Sequence, residues 1–260
     1  MTESSNNEPG GFIVPSYPSP APSNASVNSI ASNLPHPRSH PLKAGSAKED
    51  AARRYVEGRL LHISRRYAKK FQPLSENESS ALKGYESMSE VAKDLGEVVD
   101  VVWLSGTPSL QIPYLLNIAG SVTSYLTAFP PSPRATFGLL KKLDHAFASL
   151  LKGEDDVTGE ILPGFSGGMR AGMSKTDMIR CKSLVEQTRV IVVDVMGKEP
   201  ILEIDVDESG AETDAEMEST GWDAEELKYE MDVARVYEQT IVLLGEKLEG
   251  GTFQAITSEG

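Results

Sequence analysis

The sequence predicts an all-α fold: an irregular helical bundle with a disordered N-terminal arm, an acidic linker and a C-terminal helix. Three observations predict it. Apolar residues recur at i, i+3, i+4 and i+7 in one segment after another. Segment starts carry a hydroxyl residue followed by proline, or by an acidic residue three positions on. No alternation of strand-like and helix-like patterns is found along the chain.

The chain has 260 residues and a net charge of −13, which allows one or two domains. So acidic a balance disfavours general binding to nucleic acid or to an anionic membrane, because long-range repulsion opposes the encounter. Cys181 is the single cysteine, which excludes an intramolecular disulfide and fits a reducing compartment. The opening MTESSNNEPGG has neither a basic nor an apolar region, so no secretory signal is expected. Val101 to Pro133 contains no charged residue, but Gln111, Pro113, Asn117, Gly120, Ser121, Thr123, Ser124 and Thr127 interrupt its apolar run. A buried central helix is expected there rather than a membrane span, and the protein is expected to be soluble and intracellular, nuclear or cytoplasmic.

Residues 1–46 read as a disordered tail rich in Pro, Ser and Asn, with too few large apolar groups to offset the entropy of ordering. His36 and His40 lie at its end, without the further ligands that a metal needs. A helical domain is expected over 47–197. Ser46 with Glu49 predicts a capping box, and Tyr55, Val56, Leu60, Ile63, Tyr67 and Phe71 form the first apolar stripe, ended by Pro73. Ser87 to Leu104 places Met88, Val91, Leu95, Val98, Val99 and Val102 on one face, and Gly106 stops it. Thr107 and Pro108 predict an N-cap and first-turn proline for a helix reaching Phe129, with a bend at Pro113. Its inward stripe is Ile112, Leu115, Leu116, Ala119, Val122, Leu126 and Phe129. The small opposite stripe, Asn117, Gly120, Ser121, Ser124 and Ala128, suits close neighbours on a second side.

Ser132 and Pro133 repeat the device for a fourth helix, with Phe137, Leu140, Leu143, Phe147, Leu150 and Leu151 inward. Residues 152–173 form a Gly-rich loop too long for a simple turn. Ser174 and Asp177 start a helix toward Met196, although its end, TRVIVVDVMG, is β-branched and suits a strand by propensity alone. Glu199 to Asp232 holds fourteen acidic residues and one lysine, Lys228, so 198–221 reads as a solvated acidic linker. Residues 222–249 read as one C-terminal helix with Leu227, Met231, Ala234, Ile241, Leu244 and Leu248 near heptad spacing, though Glu238 occupies an intervening core position. Residues 250–260 read as a second disordered tail.

Few motifs point to catalysis. GFSGG, Gly164 to Gly168, matches G-x-S-x-G, but no strand pattern precedes it and His36, His40, His62 and His145 all lie upstream, the reverse of the hydrolase order. Asp144 and His145 are adjacent on a helix and diverge by about 100°, so proximity alone does not pair them. No phosphate-binding glycine loop, zinc spacing or calcium loop is present. No catalytic residue, cofactor, metal or small-molecule substrate is therefore expected.

The best functional signal is RRYVEGRLLHISRRYAKK, residues 53–70, with seven basic side chains and a single acidic one, Glu57. Arg53 and Arg54, ten intervening residues, then Arg65, Arg66, Lys69 and Lys70 have the spacing of a bipartite nuclear-import signal. On a helix, Arg59, Arg66 and Lys70 share a face, with Arg65 and Lys69 beside it. That face suits an acidic protein partner, phosphates or solvent, and the acidic linker is an internal candidate for weak, salt-sensitive attraction. Partner binding is expected at this helix and through Leu227, Met231, Ile241, Leu244 and Leu248 of the last one.

HPRSHPLKAGSAKEDA, HISRRYAKKF, VVWLSGTPSLQIPYLLNIA and FGLLKKLDHAFASLL together resemble a family of filamentous-fungal proteins, some labelled meiotic recombination protein. The resemblance covers roughly residues 35–195 and implies no established fold or site. A recombinase of the RecA kind needs a phosphate-cradling glycine loop and its lysine, so any recombination role implied here is accessory. The leading expectation is a non-enzymatic adaptor or scaffold with protein partners. The alternative is a nucleic-acid-associated accessory factor that uses the basic first helix.

Overall fold

A computed structural model describes residues 34–71, 83–168, 172–197 and 228–253, the last with side chains to 249. All of them lie in the unit Ser32–Gly260. The helices are α1 (Ala47–Lys69), α2 (Met88–Leu104), α3 (Pro108–Leu126), α4 (Pro133–Lys152), α5 (Lys175–Met196), α6 (228–234) and α7 (Glu238–Phe253). Among the described residues the only extended pairing is one bridge, Glu154 to Ile161. The all-α expectation holds, and the β-branched end of α5 is helical throughout.

The core follows the apolar stripes. In α2, Met88, Val91, Leu95, Val98, Val99 and Val102 are all buried, and so are Phe137, Leu140, Leu143, Phe147, Leu150 and Leu151 of α4. These two helices pack together, α3 packs against α2 and α5, and α7 closes over α4 and α5. Gly120 of α3 faces Leu184 of α5, while Asn117 and Ser124 of the same small stripe are exposed. Lys142 of α4 reaches Asp100 of α2 at 2.7 Å, an ion pair across the central contact. Gln111, buried, donates from Nε2 to the Trp103 carbonyl at 3.0 Å, which also accepts from the Gly106 amide, and so ties α3 to the end of α2.

The start devices work unevenly. Ser174 and Asp177 make the full reciprocal capping box. At Ser46 only half forms as read: its Oγ accepts from the Glu49 amide, but the Glu49 carboxylate reaches back to Gly45 N–H and forward to Arg53. Thr107 and Ser132 precede proline as expected, yet neither side chain caps its helix. The Thr107 hydroxyl instead donates to the Ser105 carbonyl and accepts from the Leu42 amide, both at 2.8 Å. Helix α3 runs through Pro113, whose ring faces solvent, and ends at Leu126 rather than Phe129.

Two further differences concern the ends. Residues 34–45, expected within the disordered tail, are ordered against the fold. Leu34 packs on the core, Leu42 bonds Thr107, and His36 Nε2 lies 3.0 Å from Glu160. Prolines at 35, 37 and 41 lessen the entropy lost in holding this segment. The α2–α3 turn beneath it needs glycine: Gly106 has φ +54, and a Cβ there would come within 2.9 Å of Arg38 Cγ. At the other end, the single expected C-terminal helix is broken over 235–237, between α6 and α7. Tyr237 there takes φ 53, a left-handed conformation rare outside glycine.

Candidate functional site

The seven cations of residues 53–70 divide into two groups. Arg59 and Arg66 turn toward α2, whose Glu90, Asp94 and Glu97 stand at successive turns on the facing side. Arg66 donates to Glu90 at 2.6 Å and to Asp94 at 3.0 Å, and its Nε reaches the Lys83 carbonyl. Arg59 reaches Glu97 at 3.0 Å and Asp94 at 3.5 Å. Tyr85, itself buried, donates its hydroxyl to Asp94 at 2.6 Å and lies beneath the Arg66 guanidinium. Burial and that hydrogen bond hold the Tyr85 phenol protonated, its pKa well above the usual value. Lys70 sits over the Phe129 ring, 3.7 Å from its centroid.

Arg53, Arg54 and Arg65 face outward. Arg53 pairs with Glu49 of its own helix, Arg54 bonds the Asp50 carbonyl, and Arg65 is exposed. Lys69 is half-buried and engaged. Beside them stand Leu61 at 51% exposure and Tyr55 at 48%, although Tyr55 and Phe71 (63% exposed) belong to the expected apolar stripe. Only Val56, Ile63 and Glu49 of α1 are buried, so the inward stripe is narrower than its spacing suggests. The acidic linker, the expected internal partner, lies outside the described residues. The partner found is α2, and its signal was legible: Glu90, Asp94 and Glu97 at 4,3 spacing opposite arginines seven apart.

The second candidate surface is largely internal. Leu227 lies outside the described residues, Met231 is exposed, Ile241 and Leu248 are half-buried, and Leu244 is fully enclosed by the fold's own helices. Val236, Tyr237 and Thr240, absent from the heptad reading, are buried. The heptad frame was carried across the break, and Glu238 in a core slot was the sign of that; Glu238 is exposed. Polar bonds fix the α6–α7 turn. Asp144 of α4 accepts from the Thr240 hydroxyl at 2.6 Å and amide at 2.9 Å. Arg189 of α5 donates to the carbonyls of Ala234 and Val236, Lys141 pairs with Asp232, and the Tyr229 hydroxyl reaches the Met196 carbonyl. Burial raises the Asp144 pKa, and the bonds from Thr240 and Gln239 pull it back only in part.

The other groups with chemical potential serve the fold. His145 bonds Asp155 at 2.9 Å and meets the Trp103 ring edge-on, while its neighbour Asp144 holds α7. Asp155 also accepts from the Val157 and Thr158 amides; burial works against its charge, but these bonds and His145 keep its pKa low. In GFSGG, Phe165 is buried, Ser166 is exposed, and Gly164 at φ +88 packs against Pro108. An open cleft of about 570 Å³ is lined by Pro41, Leu42, Pro108, Ile112 and Pro113, together with Asp177 of the α5 capping box. Among the described residues no group of three or more His, Cys, Asp or Glu stands ready for a metal ion. No described helix is long and apolar enough to cross a membrane.

Comparison with known proteins places this architecture. An uncharacterised protein of the fission yeast Schizosaccharomyces pombe is 30% identical over 154 residues, covering 56% of this chain and 82% of the relative. That match supports the fungal relationship, and its name carries no recombination label. No solved structure matches. Residues 84–245 match the family described as subunit 11 of the general transcription factor TFIIH. This span takes in every helix from α2 to α6 and half of α7, leaving α1 and the 34–45 arm outside it. The chain belongs to the TFIIH subunit 11 family.

Proposed function

We propose that this chain is a non-catalytic component of the nuclear transcription machinery, associating with TFIIH and acting by presenting helical surfaces to protein partners. The observation that carries this reading is the family match, which spans the packed core from α2 into α7 rather than one short motif. The engagement of the half-buried and buried titratable groups in holding the fold supports it. Asp144 caps α7, Asp155 orders a loop with His145, and Tyr85 ties down Asp94. One surface open to a partner is the outer face of α1, where Arg54, Leu61 and Arg65 are exposed.

Affinity purification of the tagged full chain from nuclear extract tests the reading. TFIIH subunits should co-purify at moderate salt, and their absence from the eluate would overturn it. The outward Arg54 and Arg65 also favour a second reading, a nucleic-acid-associated accessory factor with a possible place in recombination. On that reading, affinity for duplex DNA falls steeply with salt, and replacing Arg54, Arg65 and Lys69 flattens the slope. No retention on DNA at low salt removes it.

A further inference from the structure

Helix α1 carries two basic stripes, with cations at i, i+7 and i+11 on the inner one and at i and i+11 on the outer one. The inner stripe, Arg59, Ile63, Arg66 and Lys70, has the spacing i, i+4, i+7, i+11. Its arginines meet Glu90, Asp94 and Glu97 of α2, which stand at i, i+4, i+7. Arg59 takes the later carboxylates and Arg66 the earlier ones, so the helices run antiparallel with charges in register. The outer stripe, Arg54, Gly58, Leu61 and Arg65, repeats this spacing about 140° around the helix. No carboxylate pairs with Arg54 or Arg65 among the described residues. Leu61 stands exposed between them, and a Cβ at Gly58 would meet nothing within 4 Å.

An exposed stripe alone says little, but on the other side of the same helix arginines are seen paired with the acidic face of a helix. We propose that the outer stripe of α1 docks an acidic amphipathic helix of a protein partner, in the way that α2 occupies the inner stripe. The partner's carboxylates would meet Arg54 and Arg65, and an apolar side chain would cover Leu61, with Tyr55 at the rim and Gly58 admitting close approach. Duplex DNA suits this face less well. Two guanidiniums eleven residues apart are separated by about 16 Å along the axis, and a leucine lies between them where phosphate contacts would be needed. The chain's net charge of −13 does not forbid an acidic partner, because at physiological salt charges beyond about 8 Å are screened and the local stripe dominates. Helix α1 lies outside the family match at 84–245, so this surface is an attachment to the family core. The inference rests on the protein-binding reading above and adds the partner's chemistry.

The test uses the full chain and a fluorescein-labelled synthetic 18-residue helix, with leucines along one face and Glu, Asp and Glu flanking them at i, i+4 and i+11, a span of about 16 Å that matches Arg54 and Arg65. Anisotropy at low salt should give a Kd on the order of tens of micromolar. The charge-reversed chain Arg54→Glu/Arg65→Glu should bind at least about tenfold more weakly, Leu61→Ala about threefold, and a Lys-bearing version of the peptide not at all. All substituted side chains are exposed, and circular dichroism checks that the variants keep their helix content. No binding of the acidic peptide, equal binding by the charge-reversed chain, or tighter binding of a 20-base-pair duplex than of the peptide would each overturn the proposal. Only purified components are used, so co-purification with TFIIH together with indifference to the peptide would refute this inference and leave the functional reading standing.

Discussion

Replacing Asp94 with alanine strikes the joint between α1 and the rest of the fold. Its side chain is only 16% exposed and receives Tyr85 at 2.6 Å, Arg66 at 3.0 Å and Arg59 at 3.5 Å. The variant leaves the Tyr85 hydroxyl, on a residue 2% exposed, without its acceptor. An orphaned buried donor costs about 1–3 kcal/mol. The two lost ion pairs, partly solvated, add about 0.2–1 kcal/mol each, and Arg66 keeps Glu90. The total is about 1.4–5 kcal/mol. Where it is felt matters more than its size. With Val56 and Ile63 as its only buried apolar anchors, α1 should open locally before the α2–α4 core does. Native-state hydrogen exchange reads this directly: amides from Val56 to Arg66 should exchange about ten- to several-thousandfold faster, with those of α4 little changed. Unchanged α1 exchange would refute the magnitude, and equal acceleration of α1 and α4 would refute the idea of a separately held helix.

Four further outcomes follow from the buried and half-buried groups. Asp155, whose folded pKa is lowered, contributes stability that is present above its unfolded value near 3.8 and lost as pH falls through the folded value, so Asp155→Asn should flatten acid unfolding. Asp144 has a raised pKa and costs stability as pH climbs above 3.8, so Asp144→Asn should steepen the profile there; urea midpoints at stepped pH check both signs. Burial pushes the Cys181 thiol up to about 12, so an aromatic disulfide reagent at pH 8 should label it only on unfolding, and fast stoichiometric labelling of the native chain would contradict its enclosure. Thr240→Val keeps the shape but removes a donor from Asp144, and should cost about 1–3 kcal/mol in urea denaturation.

Local patterns in the sequence were legible because they follow from one helix at a time. The stripes of α2 and α4 and the Ser174–Asp177 box are all where spacing and capping chemistry put them. What depends on a neighbour was not legible. Thr107 has the sequence of a helix cap, yet a closer claim on its hydroxyl comes from Leu42, sixty-five residues away. A heptad can be written through Leu227 to Leu248 as one helix, but Asp144 supplies an N-terminal cap that makes a break at 235–237 favourable. The basic candidate residues of α1 were found by composition. Their division into an inner group that grips α2 and an outer group on the surface depends on which way the helix rolls. Two buried residues, Val56 and Ile63, decide that, rather than the wider apolar set that includes Tyr55 and Phe71.

The measurement that bears most directly on the role of this chain is size-exclusion chromatography of the purified full-length protein mixed with purified TFIIH. The account predicts a single earlier peak containing both, and a reduced shift when Asp94→Ala loosens α1 only if that helix takes part. Separate elution of the two at physiological salt would contradict it.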